Sequence, residues 1–285
     1  MAKKQIPVRA IGNAGTVSKA AASFRIRDLH EVTQGQPRVE DYHRHDFYYI
    51  LVLKKGTGSH EIDFVSYRVT NHVVFLIAPG QVHRLTLGAG SAGYLLQFQA
   101  EFMQRDSSRA LLRRAGYTSF HRLDAVGFEK LYAPLQYMIG EYTTRQAGYE
   151  DVIQASFDIF LVELARLRYS SENKQVYSHP HERLASFQDL LREHVGRCKQ
   201  VAEYAEILHI SSYQLNALTR TLLNKTASEV IRDFVVLEAK RCLLGTTHQV
   251  KEIAFRLGYD DVSYFIRFFK KQTGYTPEAF RQNYR

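Results

Sequence analysis

Cysteine is scarce in this chain, with two among 285 residues. Cys198 and Cys242 make neither a disulfide framework nor a pair of zinc ligands at finger spacing, so the fold does not rest on cross-links or structural zinc. Both read as small buried thiols of a reducing compartment. Long hydrophobic runs are missing too, and no stretch approaches the length of a membrane span. The amino-terminal "MAKKQIPVRAIGNAGTVSKAAASF" is basic but lacks the continuous apolar core of a signal peptide. The expectation is a cytoplasmic protein with no membrane partner. Nor is there an acidic excess: 38 Lys and Arg stand against 29 Asp and Glu, a net charge of +9. That balance favours a polyanion such as nucleic acid as partner. The charge is not gathered in one half, because residues 181–285 hold 16 basic against 12 acidic side chains.

What is present divides the chain by texture. With 45% apolar residues, 285 positions suffice for two domains with a core each. Residues 1–22, rich in Ala, Gly, Lys and Ser, read as a mobile arm. From 23 to about 100, short runs such as "FYYILVL", "VVFLIA" and "AGYLLQF" alternate with turn signals such as "KKGTGSH" and "GAGSAG", the texture of an antiparallel barrel. Helical spacing replaces it over about 101–170. There Ile153, Phe157, Phe160, Leu164 and Leu167 form one apolar seam, fit either to pack on the barrel or to join two chains. The polar, proline-containing 173–182 reads as a linker to an all-helical domain, 183–285. The fold class is therefore α+β with two domains.

Within the second domain a pattern repeats. In "QVAEYAEILHISSYQLNALTRTLLN" the spacing predicts a short helix carrying Val201, Ala205 and Leu208, a turn at Ile210, and a helix opening with Ser211 and Gln214 as a capping box. In "VKEIAFRLGYDDVSYFIRFFKKQTG", Ile253, Ala254 and Leu257 precede Gly258 as left-handed terminator, Asp261 as N-cap, and a helix with Phe265 and Phe269 inward. Thr226 and Glu229 open a long helix between them. Two helix-turn-helix units, at about 198–223 and 249–273, on a rigid spacer would reach successive major grooves about 34 Å apart.

These motifs, with "EAKRCLL" and "HISSYQLNAL", make residues 184–285 resemble the DNA-binding domain of the AraC/XylS family of bacterial transcription regulators. The resemblance implies double-stranded DNA and RNA polymerase as partners, a small-molecule effector and a homodimer. Two positions depart from the family pattern: Asn224 stands where glycine is usual, and Ala217 where an arginine or polar residue often projects. At 100° per residue, Phe265 and Phe269 turn Ser263 and Arg267 outward, flanked by Tyr264, Lys270 and Lys271. In the first unit Ser212, Tyr213, Asn216, Ala217 and Arg220 take the outward positions. Arg267 is the expected reader of guanine and the lysines the expected phosphate contacts.

Residues 40–98 resemble the cupin-like sensor domain of such regulators, through "HRHDFYYILVLKKGTGSHEID" and "VVFLIAPGQVHRL". Metal-binding cupins converge a His-x-His pair, a nearby Glu and a later His. Here His43, His45 and His83 match the imidazoles, but residues 49–51 are Tyr, Ile and Leu where the Glu would fall. The expectation is an effector pocket lined by His43, His45, Tyr48, His83 and Tyr94, with no catalytic residue, metal or cofactor. The alternatives are a metal-dependent cupin enzyme fused to a DNA-binding domain, and a constitutive regulator whose barrel only dimerises.

Overall fold

In a computed structural model of the protein the described residues are 8–9, 23–116, 118–166 and 179–284. They fall into two compact units, one ending with the helix at Arg166 and one beginning with the helix at His179. The expected mobile arm and linker lie largely outside the described residues. Val8–Arg9 of the arm forms a strand, and His179 already opens a helix within the expected linker.

The first unit is built from β1 (Val8–Arg9), β2 (Phe24–Asp28), α1 (Leu29–Thr33), β3 (Arg38–His45), β4 (Tyr48–Lys55), β5 (Gly58–Ile62), β6 (Val65–Val69), β7 (Val73–Ile77), β8 (Val82–Leu87) and β9 (Ala92–Phe98). After them come α2 (Asp106–Ala115), β10 (Phe120–Arg122), α3 (Ala125–Thr144) and α4 (Tyr149–Arg166). The strands make two five-stranded sheets, ordered β1-β3-β8-β5-β6 and β10-β7-β4-β9-β2. Pairing is antiparallel except for β1 along β3. Strand formation does not stop at residue 101 as the texture suggested, because β10 returns to pair with β7.

The second sheet is buried on both faces. Tyr49, Leu51, Leu53, Phe75 and Leu95 face the first sheet across a shared core with Ile62, Leu85 and Leu87. Ile50, Val52, Val74, Leu76 and Leu96 face the helices and meet Phe128, Leu131, Phe157 and Phe160. Double burial leaves no polar side to alternate with, which is why these strands read as continuous apolar runs. It also settles the helical seam. Ile153, Phe157, Phe160 and Leu164 are all buried within this core, so they pack on the sheet and are not offered to a second chain. Leu167 lies outside the described residues.

The second unit is helical: α5 (His179–His194), α6 (Val201–Ile207), α7 (Ser212–Leu223), α8 (Ala227–Gly245), α9 (Val250–Arg256), α10 (Val262–Thr273) and α11 (Pro277–Asn283). Local chemistry sets the boundaries. Reciprocal side chain-to-backbone hydrogen bonds join Ser211 with Gln214 and Thr226 with Glu229, satisfying donors that the first turns of α7 and α8 would leave unpaired. Asp261 accepts from the N–H groups of Ser263 and Tyr264. Asn224 closes α7 with φ 54°, a left-handed residue that a short polar side chain tolerates. Leu184, Phe187, Leu191, Tyr204, Leu215 and Ile231 close the core around the first helix pair. Of the two thiols, Cys242 is buried and Cys198 only half-buried. Among the described residues no helix is long and apolar enough to cross a membrane.

Candidate functional site

The helix pairs α6/α7 and α9/α10 share one construction. Ala205 and Ala254, both buried, let the paired helices approach closely, and each alanine carbonyl accepts a hydrogen bond from the turn. The donors are Ile210 N–H at 3.0 Å and Tyr259 N–H at 2.9 Å. Left-handed residues, His209 with φ 54° and Gly258 with φ 71°, reverse the chain. The second turn is one residue longer, through Asp260.

The outward faces match the helical-wheel expectation in part. Phe265 and Phe269 are fully buried, while Ser263, Tyr264, Arg267, Lys270 and Lys271 are exposed on α10. Arg267 is 69% exposed, and its nearest acid is the N-cap Asp261 at 3.9 Å. A pair so long and so solvated holds the guanidinium weakly. On α7, Ser212, Tyr213, Ala217 and Arg220 are exposed, Tyr213 by 82%. Asn216 is different. It is half-buried, its amide donates to the Ser212 carbonyl, and its carbonyl accepts from Ala227 N–H at 3.0 Å. Its polar groups are therefore engaged in fastening α7 to the first turn of α8, a role that outward spacing alone does not reveal.

Residues ahead of α6 brace the second turn. Lys199 donates to the Leu257 carbonyl and lies 4.3 Å from the centroid of the Tyr259 ring. Burial pushes the Lys199 ammonium below its usual pKa and the Tyr259 phenol up to about 12.

In the barrel unit the structure separates the five expected pocket residues. His43, His45 and His83 converge between the sheets, with potential ligand nitrogens all within 4.8 Å of one another. His43 and His45 alternate on one face of β3, and His83 is the direct cross-strand partner of His43 on β8. Tyr48 and Tyr94 do not join them. Tyr48 stacks on Phe98, and Tyr94 stacks on Tyr132 of α3, both on the helix-covered face of the second sheet. Tyr49 and Leu95, one residue along, are the ones that face the barrel interior. A one-residue error in strand phase moves a side chain to the opposite face, and these strands carry no alternation to fix the phase.

Two residues not singled out from the sequence complete the cluster. Glu40 Oε2 lies 3.2 Å from His43 Nε2, and His60 Nε2 lies 3.0 Å from His83 Nδ1. Residues 40 and 43 are three apart and would occupy opposite faces of a regular strand. An irregularity in the β3–β8 ladder between them brings Glu40 round to the histidines. Burial, with the neighbouring His43, holds His60 down to a pKa of about 3, so its ring is neutral near pH 7.

Comparison with known proteins covers both units. Residues 28–149 match the model of the AraC-like ligand binding domain, and 204–283 match a helix-turn-helix domain model. The transcriptional activator RhaR of Yersinia pseudotuberculosis is 24% identical over 249 residues, 85% of this chain and 84% of that protein. The bifunctional transcriptional activator/DNA repair enzyme AdaA of Bacillus subtilis is 37% identical over 78 residues, 27% of this chain and 37% of AdaA. Among solved structures, unsaturated fatty acid bound ToxT from Vibrio cholerae covers 91% of this chain and 95% of its own at 18% identity. Its TM-score of 0.43 is too low to bear on function. With its sensor-type barrel and its paired helix-turn-helix units each matched, the chain belongs to the AraC/XylS family of DNA-binding transcription regulators.

Proposed function

We propose that this regulator reads its operator mainly through α10 and that its barrel unit transmits the binding of a small molecule. The observation that carries the first part is the outward face of α10, where Arg267, Lys270 and Lys271 project into solvent while Phe265 and Phe269 anchor the helix from behind. Arg267 makes a bidentate contact with a guanine edge, the two lysines neutralise phosphates, and Ser263 and Tyr264 border the contact. From α7, Arg220, Ser212 and Tyr213 reach the backbone, and Ala217 offers at most an apolar contact to a thymine methyl. The barrel's role is supported by its match to a ligand-binding domain. The protein is an activator, as the name of the RhaR relative suggests; in this reading it works in the cytoplasm with RNA polymerase as a partner. It is a regulator rather than an enzyme.

Binding to an operator duplex and its single-base variants, at two salt concentrations, tests the reading. Arg267→Ala should lose about 1–3 kcal/mol and relax preference at one base pair. Lys271→Ala should weaken every sequence alike and reduce the salt slope by about one unit. An equal loss across all variants for Arg267→Ala would show that Arg267 touches only phosphate.

The regulator acts as a homodimer in this reading, through the outer side of the helical pair and not its buried seam. Tyr137 of α3 is 60% exposed and Ile159 of α4 is 55% exposed, with Ala133 and Ala155 exposed beside them. Sedimentation should show a dimer at micromolar concentration that Ile159→Asp with Tyr137→Asp reduces to a folded monomer. A parent that sediments as a monomer removes the proposal.

A further inference from the structure

We propose that the β2 edge of the barrel interior is an anion site, with Arg25 and Arg27 as its cations, and that the effector it takes is a small organic carboxylate. The inference rests on the reading of the barrel as a small-molecule sensor and names the chemistry of its ligand. Strand register fixes the placement. Arg25 pairs with Gln97 and Arg27 with Leu95 on β9, and these pair in turn with Tyr49 and Leu51 on β4. Directly paired residues share a face of the sheet. Tyr49, Leu51 and Leu95 belong to the core between the sheets, so Arg25, Arg27 and Gln97 point the same way. Phe24 and Ile26, on the other face of β2, are buried under the helices.

Two guanidinium groups thus rise from one strand face, with Cα atoms roughly 7 Å apart. A third, Arg38, lies within electrostatic reach of Arg27, but its charge is met by Glu40 at 2.5 Å. Glu40 also faces His43, and Asp28, next along β2, caps α1 through the His30 N–H. Among the described residues neither Arg25 nor Arg27 makes an ion pair. Arg27 Nε is buried without a hydrogen-bond partner there, and the one hydrogen bond of its side chain runs from Nη2 to Gln97 Oε1 at 3.3 Å. Burial, and then the charge of Arg25, pulls the Arg27 guanidinium below its usual pKa. It stays charged at neutral pH all the same. A cation withdrawn from water and set beside another is destabilising until a counter-charge arrives. The pairing of β2 with β9 is made by backbone and needs neither arginine.

The surroundings set the class of ligand. A carboxylate offers two coplanar oxygens to the fork of a guanidinium, and Gln97, whose oxygen accepts from Arg27, keeps its amide donors for the same anion. Leu95, Leu51 and Tyr49 continue from the arginines into the core as an apolar wall. A charged head at the sheet edge with an apolar body beyond it matches that gradient, whereas inorganic phosphate has no part to lay on the wall. Arg25, Arg27 and Gln97 are only half-buried, so a solute reaches them from outside.

The test melts full-length protein at fixed ionic strength with acetate, succinate, benzoate or hexanoate, beside the matching amides, inorganic phosphate and glucose. At least one carboxylate should raise the melting temperature where its amide does not, and calorimetry should give one site per chain. Arg27→Met and Arg25→Met should each weaken that carboxylate by at least about tenfold. Because each removes an uncompensated cation, the ligand-free variants should melt no lower than the parent. Arg27→Lys, which keeps the charge and loses the fork, should recover part of the affinity. Silence from every carboxylate overturns the proposal, as does a response to phosphate alone, binding indifferent to Arg27→Met, or a ligand-free Arg27→Met protein that melts well below the parent. A shift with glucose or an amide and with no carboxylate also overturns it, yet leaves the barrel a sensor. Operator affinity of the same samples reads the DNA scheme separately, so the failures are distinguishable.

Discussion

In the first helix-turn-helix unit His209 turns the chain, Asn216 fastens α7 to α8, and Ala217 occupies the outward centre of the helix. In the second unit Gly258 turns the chain, Ile266 stands in the place of Asn216, and Arg267 in the place of Ala217. The burial rhythm is the same in both: Leu215 and Phe265 are buried, then Thr219 and Phe269. The scaffold is duplicated but its surface is not. One copy has polar groups tied into the fold, and the other keeps its charged groups in solvent. The contrast separates what holds a reading helix in place from what that helix can read.

The largest effect should come from exchanging the turn chemistry. A Cβ on Gly258 would lie 2.2 Å from the Gly196 carbonyl oxygen and 2.9 Å from Lys199 Nζ, at φ 71°. The left-handed conformation alone costs a side chain about 1–2 kcal/mol, and the backbone clash adds to it. Gly258→Ala should therefore destabilise the protein by more than about 2 kcal/mol in denaturant unfolding, and should weaken operator binding by loosening α10. A substitution that leaves stability intact would show that the segment around Gly196 does not brace the second turn.

This asymmetry was only half legible in the sequence. Caps and terminators are local chemistry, so Ser211 with Gln214, Thr226 with Glu229, Asp261 and Gly258 all announced their helix ends. The inward phenylalanines fixed the phase of α10 for the same reason. Tertiary contacts left no comparable mark. Nothing near Asn216 indicates that its carbonyl will meet Ala227, eleven residues on. In the barrel, the interior phase of β4 and β9 was hidden by burial on both faces, which misplaced Tyr48 and Tyr94. Glu40 was invisible because its approach to His43 depends on a ladder irregularity that a period of two cannot express. His60 sits in an alternating stretch like any core histidine, and only its approach to His83 distinguishes it.

A smaller effect sharpens the comparison at the α7–α8 junction. Asn216→Ala removes the acceptor for Ala227 N–H and should cost about 1 kcal/mol of stability, as loss of a capping hydrogen bond does. Ile266→Ala at the matching position of α10 would lose apolar packing instead, so the two losses have different origins. Unfolding and operator binding should be measured on the same protein. If Asn216→Ala keeps full stability yet loses discrimination at one base pair, Asn216 is a base reader and the junction is held by other contacts.

The smallest effect concerns the residue that turns the first unit. His209 adopts φ 54°, a conformation that glycine enters without steric penalty. Two terms then oppose each other in His209→Gly. Relief of the left-handed strain stabilises the folded chain by about 1–2 kcal/mol, less for a residue type that enters this region readily. Glycine's added freedom in the unfolded chain costs about 0.4–1 kcal/mol. The net change should lie within about 0.5 kcal/mol of zero, against the much larger loss for Gly258→Ala in the equivalent turn. Melting curves of the two variants beside the parent provide the check. A loss above about 1 kcal/mol for His209→Gly would mean that the imidazole itself anchors the turn, and the two turns would then differ in contacts as well as in backbone freedom.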